Sequence, residues 1–251
     1  MTMAKRDLDS PQDRLEAWRT SRRKSFLRRL YADWYGLIAR ELAGVPGPVL
    51  ELGAGPAGTE FCPPGCLRSD IQPMPGISIQ ADARSLPFGT ETLGGILMIN
   101  VLHHIPDVAE FFRQAVYVLK PGGRMVMIEP WITPVSRFIY TFLHHEPCQP
   151  DAQDWAFAST GPLSGANEAL AWMIFHRDAE KFARDFPELS LVLTKPIMPV
   201  RYLLSGGLRS ISLLPGSCYA AVAWIEDLIA AFNRYLAMFA LIVVERQAHR
   251  P

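Results

Sequence analysis

Cysteine is scarce in this chain: Cys62, Cys66, Cys148 and Cys218 are the four among 251 residues. That is too few for a disulfide framework at this length. Neither Cys62-x-x-x-Cys66 nor Cys148 beside His144, His145 and Glu146 has a recognised zinc spacing, so no metal is expected. No start with basic, apolar and small-residue regions reads as a signal peptide, which makes the cytoplasm the expected location. Long apolar runs are absent too. The longest, YLAMFALIVV at 235–244, is about half of what a membrane span needs and reads better as a buried strand. Net charge is missing altogether, with 25 Lys and Arg against 25 Asp and Glu, so no overall field recruits nucleic acid and none is expected as a partner. Internal repeats and low-complexity tracts are also missing.

What is present is a chain of 49% hydrophobic residues, enough to bury one sizeable core, with or without a cap. Its charge is unevenly placed. Residues 1–30 hold nine basic side chains (Lys5, Arg6, Arg14, Arg19, Arg22, Arg23, Lys24, Arg28 and Arg29) against four acidic ones. A solvated helix face and contact with phosphate or an anionic membrane surface both explain that surplus. Leu27, Leu30, Tyr31, Trp34, Leu37, Ile38 and Leu42 recur at helical spacing, so a helix is expected to end before GVPGP at 44–48.

From Val49 the rhythm changes to short apolar strands: VLEL at 49–52, CLRSD at 66–70, ISIQADA at 77–83, GILMINV at 95–101 and RMVMIEP at 124–130. Between the last two, Val108, Phe111, Phe112, Ala115, Val116 and Leu119 form one helix face, stopped by KPGG at 120–123. Such alternation predicts an α/β fold, a doubly wound, mostly parallel sheet with helices on both faces. Further on, a helix near 177–186, a strand at 189–197, a helix bearing Ala221, Ile225, Leu228, Ile229, Phe232 and Leu236, and a closing strand at 238–246 are expected. The divisions are a helical cap over 1–46, a cofactor-binding core over 47–130, a substrate-covering insertion over 131–188, and a strand pair with a helical insertion over 189–251. An antiparallel last strand puts both insertions at the carboxyl edge of the sheet.

VLELGAGPAGTEF at 49–61 poses the functional question, because glycine weakens ordinary elements. In open parallel sheets the ligand crevice lies outside the carboxyl ends of the strands. Gly53 and Gly55 let backbone approach a ligand there, their missing side chains leaving room for its atoms. Asp70 ends the second strand, where a carboxylate accepts ribose hydroxyls, and Asp82 ends the third, in reach of an adenine amino group. Each acid also reads as a plain strand-end cap.

VLELGAGPAG, SDIQP, QADARSLPF, MINVLHHIPD and LKPGGRMVMIEP stand in order from Val49 to Pro130. Together they resemble the class I S-adenosylmethionine-dependent methyltransferases, in particular the small-molecule, type 11 group. The resemblance implies a Rossmann-like seven-stranded sheet and S-adenosyl-L-methionine as cofactor, with S-adenosyl-L-homocysteine as product. It places Glu51, Gly53, Ala54 and Gly55 at the methionine and ribose, Asp70 and Ile71 at the ribose, Asp82 and Ala83 at the adenine, and Asn100, Val101 and His104 at the floor of the site. Two departures stand out. Ala57 replaces a usual glycine, and TEFCPPGC at 59–66 leaves no room for a full helix in the first crossover. The N-terminal helix is the candidate cover there.

Methyl transfer is an in-line displacement that positioning alone accelerates, but many acceptors also need a base. His103, His104 and His145 are the candidate catalytic residues, with Glu129, His144 and Glu146 nearby. Aromatic residues of the insertions (Trp131, Phe138, Phe142, Trp155, Trp172) read as core or as walls of an apolar acceptor cavity. Arg201, Arg209 and Gly206-Gly207 read as a loop or as a grip for an anionic group. The expected reaction is methyl transfer to a small or lipid-like acceptor at oxygen, by a monomer or homodimer. The alternatives are an enzyme of the same fold that acts on S-adenosylmethionine itself, such as a cyclase, an RNA methyltransferase, and a non-catalytic assembly partner.

Overall fold

Past the turn at 44–48 the chain lays down seven strands that pair into one sheet. We describe residues 9–55, 60–144, 146–159, 161, 165–208 and 211–248 of a computed structural model. The strands are β1 (Val49–Glu51), β2 (Leu67–Asp70), β3 (Ile79–Gln80), β4 (Leu93–Ile99), β5 (Leu119–Pro130), β6 (Leu189–Ile197) and β7 (Phe239–Arg246), in spatial order β3-β2-β1-β4-β5-β7-β6. The first five run parallel, and β7 is antiparallel to both β5 and β6. Strand order reverses between β1 and β4, which opens a crevice at their carboxyl ends.

Side chains of the central strands alternate between the two faces, as the pleat requires. Ile96 and Met98 of β4 join Met125 and Met127 of β5 on one face, while Leu97, Val126 and Ile128 join the other. Two helices precede the sheet, α1 (Pro11–Arg23) and α2 (Ser25–Glu41). The stripe Phe26, Leu27, Leu30, Trp34 and Ile38 of α2 is buried against Leu97, Val126 and Leu241. On the opposite face lies α3 (Val108–Val118), whose start is capped by the Asp107 carboxylate accepting from the Glu110 amide at 3.1 Å. Its Phe111 and Phe112 pack with Phe175, Phe182 and Phe186.

The two long connections meet at the carboxyl edge. After β5 comes α4 (Pro134–Phe142), capped by Thr133, whose hydroxyl also donates to Ala237 O at 3.0 Å. The Tyr140 hydroxyl bonds Met238 O, so α4 is stapled to the residues that lead into β7. Next come α5 (Leu170–Trp172), which runs into a wide turn at 173–177, and α6 (Ala179–Asp185). The β6–β7 connection holds α7 (Arg201–Ser205), α8 (Tyr219–Leu228) and α9 (Asn233–Leu236), with α9 packed on α4.

Two expectations change, and a third element proves exposed. The basic N-terminal segment is not simply a solvated face: Lys24 is buried and its Nζ donates to Gly207 O at 2.7 Å, while Arg28 bonds Glu60 at 2.7 Å. The helix expected around Ile225 is α8, and Ile225, Leu228 and Phe232 are 49%, 63% and 57% exposed, because none of the described residues covers that face of α8 and the turn after it. Arg201 does not reach out to grip an anion. It is buried on the carboxylates of Glu226 and, at 2.8 Å, Asp33; Arg209 lies outside the described residues. Replacing Arg201 by alanine strands Glu226, 3% exposed, in apolar surroundings. The expected result is a loss of about 3 kcal/mol in a denaturant titration.

Candidate functional site

β1 ends in Glu51, which is 2% exposed, receives the Tyr35 hydroxyl of α2 on Oε1 and lies against the Cys62 thiol; among the described residues no N–H or O–H donor reaches its Oε2. Burial raises the Glu51 carboxyl above its ordinary range, against the opposing pull of Tyr35 and Cys62. The backbone then turns through Gly53 (φ +65°) and Gly55 (φ +52°), conformations that favour glycine. A Cβ on Gly53 would lie 2.5 Å from Val101 Cγ2. Its missing side chain therefore accommodates Val101 rather than a ligand, which corrects the sequence-based explanation at that position. Around Gly55 the space is open, since a Cβ there would meet only Gly53 O at 3.6 Å. Ala57 and Gly58 lie outside the described residues.

Asp70 closes the cradle from β2. Its Oδ2 accepts the Gly55 amide and its Oδ1 the Gln72 amide, both at 3.0 Å. Burial pushes its carboxyl up, and these two amides pull it back. Ala54 N reaches Ser69 O at 2.9 Å, and Ile71 O takes the Gln80 side chain at 2.9 Å. The segment before α1 covers this corner, for the Gln72 amide group donates to the Asp9 carboxylate at 3.3 Å. Asp82 faces elsewhere: Arg84 grips both its oxygens, at 3.0 and 2.7 Å, and holds its carboxyl below the usual value. Ala83 packs on the core beside it.

The floor of the crevice is Asn100 and Val101. Asn100 adopts φ +56°, and its side-chain oxygen is buried with no donor. The Val101 and Leu102 amides donate to Glu129 Oε1 at 2.7 and 2.9 Å.

Below them lies a cluster of histidines and carboxylates. Glu129 is wholly buried, and its Oε2 stands 2.7 Å from His103 Nδ1. A carboxylate only accepts here, so His103 carries its proton on Nδ1. His103 Nε2 then faces Glu146 Oε2 at 3.7 Å. Burial works to lower the His103 pKa, but the carboxylates of Glu168 and Glu129 outweigh it and the ring is held well above its ordinary value. Burial, reinforced by His103, takes His104 down to about 4. Its Nδ1 sits 3.2 Å from Gly165 O. Glu168, 3% exposed, has Oε1 3.1 Å from His144 Nδ1 and shares a side-chain hydrogen bond with Glu146. Burial raises its carboxyl.

The structure thus brings Glu51, Gly53, Ala54, Gly55, Asp70, Asn100 and Val101 to one crevice, and His103 and His104 to its floor. Asp82 is turned to Arg84. His145 lies outside the described residues. Tyr35 and Glu168 were missed from sequence. Tyr35 sits inside an apolar helical stripe where only its hydroxyl hinted at a polar partner, and Glu168 lies in a segment without periodicity. Beside the cluster, α4 and residues 148–152 frame an open groove of about 740 Å³ lined by Phe138, Phe142, Cys148 and Ala152. Among the described residues no helix is long and apolar enough to cross a membrane.

Comparison with known proteins gives a consistent picture. The sequence model of a family described as "Methyltransferase domain" matches residues 60–127. The chain is 34% identical over 70 residues to the ubiquinone/menaquinone biosynthesis C-methyltransferase of Klebsiella pneumoniae, covering 27% of this chain and 28% of that one. It is 30% identical over 81 residues to the phthiotriol/phenolphthiotriol dimycocerosates methyltransferase of Mycobacterium leprae (32% and 28% covered), and 37% identical over 54 residues to the 27-O-demethylrifamycin SV methyltransferase of Amycolatopsis mediterranei (22% and 20%). The matched stretches thus span under a third of those relatives' own lengths. Among solved structures, an S-adenosylmethionine-dependent methyltransferase from Archaeoglobus fulgidus aligns with TM-score 0.53 at 14% identity, covering 87% of this chain and 94% of that one. Geranyl diphosphate C-methyltransferase from Streptomyces coelicolor aligns with TM-score 0.50 at 16% identity, covering 88% and 80%. At these identities the likeness is one of fold.

Proposed function

We propose that this chain is a class I S-adenosylmethionine-dependent methyltransferase and that it transfers a methyl group to an oxygen atom of a small or lipid-like acceptor. One observation carries the reading. At the switch point of the sheet, two buried oxygens, Glu51 Oε2 and Asn100 Oδ1, have no N–H or O–H donor among the described residues, beside an Asp70 carboxylate held in place by two backbone amides. Buried acceptors without donors are rare and call for a partner. An amino-acid moiety and a ribose bring such donors, so these residues fit the cofactor. When bound, S-adenosylmethionine supplies a methyl carbon on a sulfonium leaving group.

The remaining work belongs to the chain. Asp70 accepts from the ribose hydroxyls, Glu51 faces the ammonium end, and the turn at Gly53–Gly55 brings backbone close enough to position both. Orientation of the acceptor opposite the leaving sulfur accounts for most of the acceleration. The histidine–carboxylate floor is where an acceptor hydroxyl sheds its proton. The groove beside α4, with Phe138 and Phe142 in its wall and the Arg137–Asp151 pair at its lining, suits an acceptor with a hydrocarbon body and a polar group, in keeping with the quinone-pathway and dimycocerosate names of the matched relatives; the rifamycin relative's name carries a 27-O-demethyl substrate.

The test is calorimetry with S-adenosylmethionine and S-adenosylhomocysteine, followed by transfer of labelled methyl to a panel of phenols, quinols and long-chain alcohols. No heat with either compound sinks the reading. Acidity adds a second check. Both Glu51 and Asp70 have carboxyls raised by burial, and only the ionised forms accept from the cofactor's donors at full strength. Affinity is therefore expected to fall as pH drops through their raised values, before the ordinary carboxylate range near 4 is reached. A titration series from about pH 8 to about pH 5 reads this directly.

A further inference from the structure

We propose that His103, His104 and Glu146 hold a divalent first-row transition ion, with Zn²⁺ as the natural occupant, at the floor of the acceptor site. The ligand atoms these three side chains offer lie within 4.8 Å of one another. Both rings are already anchored as metal-binding histidines are. His103 Nδ1 is fixed by the buried Glu129 carboxylate at 2.7 Å and His104 Nδ1 by the Gly165 carbonyl at 3.2 Å. An outer-shell carboxylate or carbonyl on the second nitrogen is the usual support of a ligating imidazole. In each ring that leaves Nε2 for a ligand.

The spacing favours an ion over a direct bond. His103 Nε2 lies 3.7 Å from Glu146 Oε2, too far for a hydrogen bond. Two ligands of one tetrahedral ion at about 2.0–2.1 Å stand roughly 3.4 Å apart. Glu168 stands behind the ligand set: it is 3% exposed and its carboxyl hydrogen-bonds that of Glu146, as ligating carboxylates are usually held by an outer-shell partner. Two imidazoles and one carboxylate form a common three-residue set for a catalytic metal, with a fourth position left for water or substrate. His104 and Glu146 are only half-buried, so that position is reachable from the crevice.

The inference rests on the proposed methyl transfer to oxygen and supplies its missing proton step. An acceptor hydroxyl bound to the ion loses its proton to water far more readily than in solution. Its oxygen lone pair then forms the new bond to the methyl carbon, and the carbon–sulfur pair leaves with sulfur.

Tag-free protein stripped with a chelator and titrated with Zn²⁺ in a calorimeter provides the test, with Co²⁺ as a visible-absorption probe of the same site. The expected result is one Zn²⁺ per chain and intense d–d bands with Co²⁺. Affinity is expected to weaken by about 100-fold or more in Glu146→Gln and in His104→Gln, and to stay within a few-fold in His144→Gln. Equal Zn²⁺ uptake by wild type and Glu146→Gln overturns the site. Loss of uptake in His144→Gln overturns the ligand assignment in favour of His144, Glu146 and Glu168, the neighbouring set. Should Glu146→Gln fail to fold, the wild-type cobalt spectrum decides: intense bands bleached by Zn²⁺ support the site, and the weak aquo-ion spectrum overturns it. S-adenosylhomocysteine affinity of the stripped protein separates the two readings. Retained heat with no metal uptake refutes the ion alone, and metal uptake without that heat refutes the cofactor reading.

Discussion

Asp70→Ala is expected to weaken S-adenosylhomocysteine affinity by about 10² to 10⁴-fold. Two hydrogen bonds from ribose hydroxyls to a charged acceptor contribute roughly 1.5–3 kcal/mol each, and every 1.4 kcal/mol is about tenfold. The effect does not stop at the lost contacts. Asp70 also receives the Gly55 and Gln72 amides, so alanine releases the turn that brings backbone to the ligand. Asp70→Asn separates the two contributions. Its single carbonyl oxygen keeps one amide partner while its NH₂ opposes the other, so part of the turn survives and the charge does not. Calorimetry on both variants, with thermal midpoints recorded alongside, reads this. Asp82→Ala is the contrasting case. Arg84 occupies the Asp82 carboxylate, and the loss there is expected to stay within a few-fold.

The contrast between those acids shows what the sequence discloses and what it withholds. Apolar runs such as GILMINV and MFALIVVER disclosed β4 and β7, because a strand buried on a sheet writes its burial into consecutive residues. The stripe from Leu27 to Ile38 disclosed α2 in the same way. Position at a strand end likewise disclosed Asp70 and Asp82. What a carboxylate then grips is a contact between distant residues or, for Arg84, a choice of rotamer, and neither leaves a periodic trace. Gly53 is the clearest instance. Its neighbour Val101 lies far along the chain, so the glycine reads as ligand space until the fold places β4 beside β1. Amphipathic helices disclose an apolar face but not its cover, and the face with Ile225 and Leu228 is exposed. Tyr35 on Glu51 and Glu168 against Glu146 follow the same rule. The first joins the N-terminal cap to the core and the second joins two parts of one insertion, and only the tertiary structure determines either contact.

Glu129 is where these long-range contacts converge, and its two variants are expected to fail differently. It is wholly buried, accepts the Val101 and Leu102 amides on one oxygen and fixes His103 with the other. Glu129→Ala leaves three buried donors without a partner, and the expected loss is about 3–5 kcal/mol of stability, read as an early denaturant midpoint. Glu129→Gln keeps the oxygen that serves both amides and places an NH₂ opposite His103 Nδ1. The ring must then accept at Nδ1 and carry its proton on Nε2, the reverse of the native tautomer. Stability is expected to stay within about 1–2 kcal/mol. The Nε2 that faces Glu146 then keeps the ring's one proton and cannot bind an ion, so the proposed Zn²⁺ affinity and the proposed methyl transfer to oxygen are expected to fall together by about 100-fold while S-adenosylhomocysteine binds with near-native affinity. A glutamine variant that keeps its metal and its turnover shows that Glu129 serves the fold alone. One that loses both while it binds the cofactor makes the tautomer of His103 the switch between a packed histidine and a working one.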